Sequence, residues 1–306
     1  MYKSLIIGAG QIAGGCDNPS DSAILTHAHA YQNDKNIELL GFYDTNPDIA
    51  EKMGTKWGVK TFKVLDEVKD VDIISICSPD FCHLESVQEA LKLNPKVIFL
   101  EKPLSDNIDE AQEILEISKS VPILVNYSRR FIKEFQDLTK RIKTGEFGDF
   151  KSGNGYYGKG FIHNGSHMLD LLNLFLDDIE KVTVINEIID YTKNDLTKTA
   201  VIDFKNNGTF FMQGCDCNNF TIFELDMIFE KARIKVSNLG NNLEIYKIKE
   251  SNQYKGYFIL ELSENYKTEI NFAMANAVSN IVSFLSKHEP LISTVQNAFE
   301  VIRWLK

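Results

Sequence analysis

The stretch Leu5-Ile6-Ile7-Gly8-Ala9-Gly10-Gln11-Ile12-Ala13-Gly14 decides the fold class. Three branched aliphatic residues in a row read as a strand buried on both faces, and the residues after them fit G-x-G-x-x-A. Glycine at positions 8 and 10 lets the backbone turn tightly and approach a pyrophosphate, while Ala13 lets a helix lie close to the strand. The amides of that helix would hold the anion. A glycine-rich turn with no ligand is the plainer alternative. Its place directly after a first strand favours a dinucleotide loop.

Working outward, residues 3–7, 37–43, 71–78, 97–101 and 121–127 are short aliphatic runs with helical patterns between them. Asn46-Pro47 reads as a helix start, with the asparagine capping free amides and proline at the first helical position; Asp80 and Asp106 are candidate starts of two later helices. Strands alternating with helices predict a parallel, doubly wound sheet. The second strand ends in Asp44, where a carboxylate would accept hydrogen bonds from an adenosine ribose and repel a 2′-phosphate, favouring NAD over NADP. Asp44 lies 34 residues after Gly10, against roughly 20 in the simple fingerprint. The polar segment 15–22 reads as an insertion between the loop and its helix, which accounts for most of the excess and would also cover the site. His27 and His29 follow it. A metal pair is one reading, but on a helix the two side chains turn apart, so capping and packing near the loop is preferred.

Composition bounds the remaining possibilities. At 306 residues the chain is long enough for two domains with their own cores. A net charge of -10 argues against a nucleic-acid partner. No apolar run reaches the ~20 residues that span a bilayer, and the N-terminus reads as a strand rather than a signal peptide, so no membrane partner and a cytoplasmic location are expected. Five cysteines, an odd number with no disulfide-like spacing, agree with a reducing compartment. Cys215 and Cys217 lack the second pair that a zinc site would need.

Strand 97–101 runs into Glu101-Lys102-Pro103. Proline keeps Lys102 out of helical geometry, leaving it at the carboxyl end of a parallel sheet, where open α/β folds bind ligands. Beyond Arg130 a polar helical stretch ends near Gly145, and alternating segments follow at 182–189, 199–204, 209–213, 220–229, 234–236, 243–248 and 257–262. Asn206-Asn207-Gly208 is a hairpin turn between two of them. Helices near 271–287 and 294–305 end the chain, the latter with Val295, Phe299, Ile302 and Leu305 at helical spacing. The apolar run 220–229 is a candidate for subunit contact.

These motifs in this order resemble the Gfo/Idh/MocA oxidoreductases, the family of glucose-fructose oxidoreductase and inositol dehydrogenase. The resemblance rests on the glycine loop, Cys77-Ser78-Pro79-Asp80 with His83, Glu101-Lys102-Pro103, Asn126-Tyr127-Ser128-Arg129-Arg130-Phe131 and Gly165-Ser166-His167-Met168-Leu169-Asp170. It implies an α/β fold: an NAD(P)-binding Rossmann domain over 1–122, then an α+β domain over 123–306 with a large open antiparallel sheet for substrate binding and for homodimer or homotetramer contacts. It places Gly8, Gly10, Gln11, Ile12, Asp44, Cys77, Ser78, Pro79, His83, Glu101, Lys102 and Arg130 at the cofactor. Lys102, Asn126, Arg129, Tyr156, His163, Asn164 and His167 fall at the substrate, with Lys102 and His167 as the catalytic pair. Tyr157 and Lys159, just upstream of the histidines, are candidates for lining the same pocket, with simple packing beside the glycines as the alternative for the tyrosines.

The family pattern D-x-G-x-H departs here to His163-Asn164-Gly165-Ser166-His167. This departure resembles a subset acting on sugars of bacterial surface glycans, including nucleotide-linked sugars. Hydride transfer from a CH–OH carbon needs a group to take the hydroxyl proton. The imidazole of His167 titrates near neutrality and suits that task, while Lys102 can hydrogen-bond the same oxygen or relay the proton. Which of the two is the base stays open at this level. His-x-x-x-His could also hold zinc on one helix face, but a third ligand and the Glu of H-E-x-x-H are missing, so no metal is expected. The expected function is an NAD(P)-dependent sugar dehydrogenase or ketosugar reductase. A free sugar or cyclitol substrate, a redox-neutral lyase or glycosidase using tightly held NAD, and a non-catalytic NAD-bound sensor are the alternatives.

Overall fold

A computed structural model describes residues 1–176 and 179–305. The chain divides into two compact units, Met1–Phe131 with Asn271–Arg303, and Ile132–Ile270 with the chain from Trp304. The division expected at 122/123 therefore differs in two ways: the first unit extends to Phe131, and the two C-terminal helices return to it.

In chain order the first unit contains β1 (Tyr2–Ile7), α1 (His27–Asn33), β2 (Ile37–Tyr43), α2 (Pro47–Trp57), β3 (Lys60–Phe62), β4 (Ile73–Ile76), α3 (His83–Leu91), β5 (Val97–Leu100), α4 (Ile108–Ile117) and β6 (Ile123–Val125). The strands form one parallel sheet in the order β3-β2-β1-β4-β5-β6. Their aliphatic runs are covered on both faces, as continuous hydrophobic strands require. The Asn46 side chain accepts from the Asp48 amide at 3.1 Å, with Pro47 opening α2. The cap of α4 is Asn107, one residue after the expected Asp106, because its side chain reaches the Asp109 amide at 2.8 Å. Asp80 opens only the short turn Asp80–Cys82 ahead of α3.

In the second unit α5 (Lys133–Lys143) precedes β7 (Phe150–Tyr157), α6 (Ser166–Leu176), β8 (Ile179–Ile188), β9 (Thr197–Phe204), β10 (Thr209–Gly214), β11 (Phe223–Phe229), β12 (Ala232–Ser237), β13 (Asn242–Glu250) and β14 (Phe258–Lys267). These strands make a second sheet in the order β14-β13-β12-β11-β7-β10-β9-β8. Every neighbouring pair is antiparallel except β7 and β10. The expected turn at 206–208 joins β9 to β10, where the Asn206 side chain accepts from the Gly208 amide at 2.9 Å. The run 220–229 does not offer its apolar side chains to a partner. Period-two alternation turns Phe223, Leu225, Met227 and Phe229 into the unit's own core, leaving Phe220 exposed before the strand. Large apolar side chains are exposed at both ends of the sheet, Val184 and Ile185 on β8 and Tyr254, Tyr257, Phe258, Ile259, Leu260 and Leu262 in the β13–β14 hairpin.

The chain then returns through α7 (Ala273–Lys287) and α8 (Val295–Leu305). Met274, Ala277, Val278 and Ile281 of α7 enter the core formed by Ile6, Ala28, Tyr31 and Phe99. The Val125 amide donates to Ser293 O at 3.0 Å, and Leu124 bridges to Thr294, so the segment before α8 covers the β6 edge. Among the described residues no helix is long and apolar enough to cross a membrane.

Two substitutions test these supports. Gly8 has φ +85°, and a Cβ there would lie 2.7 Å from both Cys77 C and Ser78 N. Gly8→Ala is expected to lower the unfolding free energy by about 2–4 kcal/mol, read from urea denaturation; a loss below about 0.5 kcal/mol would show that the strands can part there at no cost. On the second unit, Arg141 donates to both oxygens of Glu264 at 2.7 Å. That bond, opposed by partial burial and helped by Tyr266 and Lys247, lowers the Glu264 carboxyl from 4.5 to about 2. Because the native pKa is depressed, the stabilisation is complete above pH ~4.5 and is lost as the pH falls toward 2. Glu264→Gln should cost about 1 kcal/mol at neutral pH after solvent screening, with the gap to the parent closing in urea melts at acid pH.

Candidate active site

The parallel sheet brings the expected cofactor residues to one edge. The glycine loop follows β1, Asp44 follows β2, Cys77-Ser78-Pro79 follows β4, Glu101-Lys102 follows β5 and Asn126 follows β6. All five stand at carboxyl ends, and β1 and β4 flank the point where strand order reverses, the position at which such sheets bind ligands. Gly8 packs on the Cys77–Ser78 backbone, whereas a Cβ on Gly10 would meet no other protein atom within 4 Å. That open face is what a dinucleotide pyrophosphate needs. Asp44 is held by two amides: Ala9 N–H donates to its Oδ2 at 2.7 Å and Asn46 N–H to its Oδ1 at 2.8 Å.

After Gly10 the chain makes a single helical turn, Gln11–Gly15, with Gln11 exposed and Ile12 half-buried. The amides available to an anion are those of this one turn, since α1 begins only at His27. The polar segment expected as an insertion lies between this turn and α1, and it is fastened. Asp17, 2% exposed, accepts from the Leu25 amide at 2.7 Å, the Thr26 amide at 3.2 Å, the Thr26 hydroxyl at 2.6 Å and His29 Nδ1 at 2.9 Å. His29 thus packs as expected, against Asp17. His27 does more: it is fully buried, with Nδ1 2.8 Å from Ser75 Oγ and Nε2 2.8 Å from Glu101 Oε1.

Glu101 sits 7% exposed under this histidine and also accepts from Asn126 Nδ2 at 2.6 Å. Burial alone would raise its carboxyl, but the bonds from His27 and Asn126 together with the charges of His27 and Lys102 bring it below the ordinary value. Since the carboxylate can only accept, the Asn126 amide is oriented with nitrogen toward Glu101, and its Oδ1 has no hydrogen-bond partner among the described residues. Lys102 is half-buried and leads into Pro103 through a cis peptide bond. His83 lies under the Cys77–Pro79 loop, its ring nitrogens 3.1 Å from Ser78 O and 3.3 Å from Leu104 O. Burial outweighs those carbonyls and lowers its pKa. Pro79 is exposed, Arg130 is 4% exposed in the turn Ser128–Phe131, and Arg129 beside it is half-buried.

In the second unit, Tyr156 and Tyr157 end β7, and the turn Phe161–Gly165 leads into α6. His167 stands in the first turn of α6, with Asp170, 1% exposed, three residues on and so on the same face. Asn164 Nδ2 donates to Gly158 O at 2.9 Å. His163 is exposed and its ring stacks on Tyr191 with centroids 5.3 Å apart. Tyr156 is exposed, while Tyr157 is buried and its hydroxyl donates to Lys198 O at 2.6 Å.

Asp190 and Asp195 of the loop between β8 and β9, and Thr197 at the start of β9, went unread in the sequence. Asp195 accepts from the Ile162 and His163 amides at 2.9 and 2.8 Å; Asp190 accepts from the Lys159 amide at 2.6 Å and from the Thr197 hydroxyl, which itself accepts from the Gly160 amide at 2.7 Å. Gly160 has φ +86°, and a Cβ there would strike the Asp195 carboxylate. A carboxylate from another loop, Asp195, thus reaches the backbone of the turn that carries His163. The available signal was Asp190-Tyr-Thr-Lys-Asn-Asp195, a polar turn between two strands. Among the described residues no group of three or more His, Cys, Asp or Glu side chains is gathered to hold a metal ion, and all five cysteines are free.

Comparison with known proteins agrees with this geometry. Residues 2–127 match the family described as oxidoreductase family, NAD-binding Rossmann fold. The chain is 32% identical over 155 residues to a glucose-6-phosphate 3-dehydrogenase of Bacillus subtilis, covering 50% of this chain and 41% of that protein. It is 26% identical over 127 residues to an inositol 2-dehydrogenase of Rhizobium meliloti, covering 40% and 38%. The matches therefore span about two fifths of the length of these curated relatives. In fold it is similar to a UDP-N-acetylglucosamine 3-dehydrogenase of Acidithiobacillus ferrooxidans, with a TM-score of 0.80 at 17% identity over 99% of this chain and 95% of that one. The glycine loop, Asp44 and Glu101-Lys102-Pro103 all lie inside the segment 2–127 that is similar to the NAD-binding Rossmann fold of the Gfo/Idh/MocA oxidoreductase family.

Proposed function

We propose that the protein is an NAD-dependent sugar oxidoreductase acting at a CH–OH or keto carbon, with a nucleotide-linked sugar as its substrate. The observation that carries this reading is the convergence of the glycine loop, Asp44 and Lys102 on the carboxyl ends of β1, β2 and β5. When bound, the nicotinamide supplies the acceptor or donor of hydride. Gly10 leaves its face open for the pyrophosphate, and the Asp44 carboxylate takes the ribose hydroxyls and repels a 2′-phosphate, which selects NAD over NADP.

In this proposal Lys102 donates a hydrogen bond to the reacting oxygen and stabilises charge developing there. His167 exchanges the hydroxyl proton, with Asp170 beside it on α6 to orient the ring. Asn126, Arg129, Asn164 and Tyr156 hold the sugar, and His163 recognises the group attached to it. Support for a sugar comes from relatives named for glucose 6-phosphate and inositol. Support for a nucleotide link comes from His163 in place of aspartate and from the fold shared with the UDP-N-acetylglucosamine 3-dehydrogenase. The same proposal places the protein in the cytoplasm and joins copies through the second sheet, where the β13–β14 hairpin leaves Tyr257, Phe258 and Ile259 exposed.

The test is a panel of nucleotide sugars, sugar phosphates, free sugars and cyclitols assayed by nicotinamide absorbance. Lys102→Ala and His167→Ala should each lower turnover by about 10²–10⁴-fold while NAD affinity changes less than about two-fold. Undiminished turnover in both variants would remove these residues from the reaction, and preference for a free sugar over every nucleotide sugar would remove the substrate class.

A further inference from the structure

We propose that Lys56 and Trp57 are positioning residues for the cofactor's pyrophosphate, acting through the carbonyl end of the turn Gln11–Gly15. That turn is all the helix the glycine loop has: it stops at Gly15, and α1 begins only at His27. A helix that ran on would satisfy the carbonyls of its first turn with the amides of its second. An isolated turn lacks that help. It also fixes several dihedrals for each hydrogen bond it makes, so it does not hold on its own.

Two consecutive residues of α2 supply what the missing second turn would. Lys56 Nζ donates to Gly14 O at 2.8 Å and to Gly15 O at 3.2 Å. The Trp57 indole N–H donates to the same Gly14 carbonyl at 3.0 Å, from a residue that is 3% exposed. Gly14 is what admits the indole, since a Cβ there would lie 2.4 Å from Trp57 Nε1. The indole is seated in turn by the insertion. The His29 ring lies beside it with centroids 5.6 Å apart, and His29 Nδ1 is 2.9 Å from Asp17 Oδ2. The segment that interrupts the helix thus braces the cap that replaces it.

With its carbonyls capped by a cation and an indole, the turn stays wound. The Gly14 amide donates to Gly10 O at 3.3 Å and the Cys16 amide to Gln11 O at 2.9 Å. The amides at its start, which have no partner inside a helical turn, are then fixed beside the open face of Gly10. Lys56 also sets a positive charge behind them, where a longer helix would have continued. Without the cap, a dinucleotide has to order the turn as it binds, and its affinity falls by that cost.

This role rests on the NAD reading above and on no sugar, so it is measured by binding and amide exchange rather than by turnover. By calorimetry, Lys56→Met should raise the Kd of NAD and of ADP-ribose about ten-fold, and Trp57→Phe, which keeps a ring beside His29 and loses the N–H, about three-fold. Adenosine, which has the ribose and no phosphate, should change less than about two-fold. Lys56→Arg, which keeps the charge and the donors, should return NAD to within about two-fold of the parent. The Lys56→Met loss should persist at about 1 M salt, where a screening length of ~3 Å removes any long-range pull of the charge on the phosphates. In the protein without ligand, the Gly14 and Cys16 amides should exchange about five-fold faster in Lys56→Met, with the amides of β5 unchanged. A folded Lys56→Met whose NAD affinity matches the parent's, whose adenosine and ADP-ribose losses are equal, or whose loss vanishes in salt overturns the proposal. Should that variant not fold, unchanged exchange at Gly14 and Cys16 in Trp57→Phe does so. A parent protein that binds neither dinucleotide nor ADP-ribose sinks the NAD reading instead, and the exchange comparison still decides whether Lys56 and Trp57 hold the turn.

Discussion

The first unit depends on how closely two strands pass at one residue. Gly8 leaves β1 at positive φ with its Cα against the Cys77–Ser78 backbone at the end of β4, where no side chain would fit. From that contact the two chain paths diverge, the glycine loop toward β2 and Cys77-Ser78-Pro79 toward α3, and the divergence opens the crevice at the strand reversal. Asp44 then locks the loop through the Ala9 amide, and Trp57 of α2 does so further along by donating to Gly14 O at 3.0 Å. Each later support assumes that the first approach has been made.

Much of this was legible because it is local. A buried parallel strand reads as a continuous aliphatic run, and Asn46-Pro47 carries its capping chemistry in two adjacent residues. The two strands that were not read lack that signature. β3 is three residues long on a sheet edge, with Lys60 and Thr61 exposed. β7 contains Gly153 and Gly155, which weaken any strand pattern; the Phe210 ring of β10 occupies the space their side chains would fill. The expected partner-facing run at 220–229 failed for a related reason, since hydrophobicity alone does not say which face of a strand is covered.

The candidate site was legible in its chemistry but not in its supports. Lys102, His167 and Asp44 sit in motifs a few residues long. His27 reaches Glu101 across 74 residues of sequence, and Asp195 reaches the turn before α6 across more than thirty. No local pattern encodes such pairings, so His27 read as packing, and the Asp190–Asp195 loop read as a connection only. These distant groups hold the turns and carboxylates in place for the residues that carry the motifs.

The return of α7 and α8 to the first unit has a consequence for how the protein is made. The second unit is nearly continuous in the chain, whereas the first waits for Asn271–Arg303 to complete its core and cover β6. Translation must proceed through about 140 further residues at roughly 5–20 residues per second, so the nascent Rossmann sheet spends on the order of ten seconds with an open edge and a missing wall. The unit that begins first on the ribosome is the one that finishes last, and the strand edge beside the site is its most exposed surface during that interval.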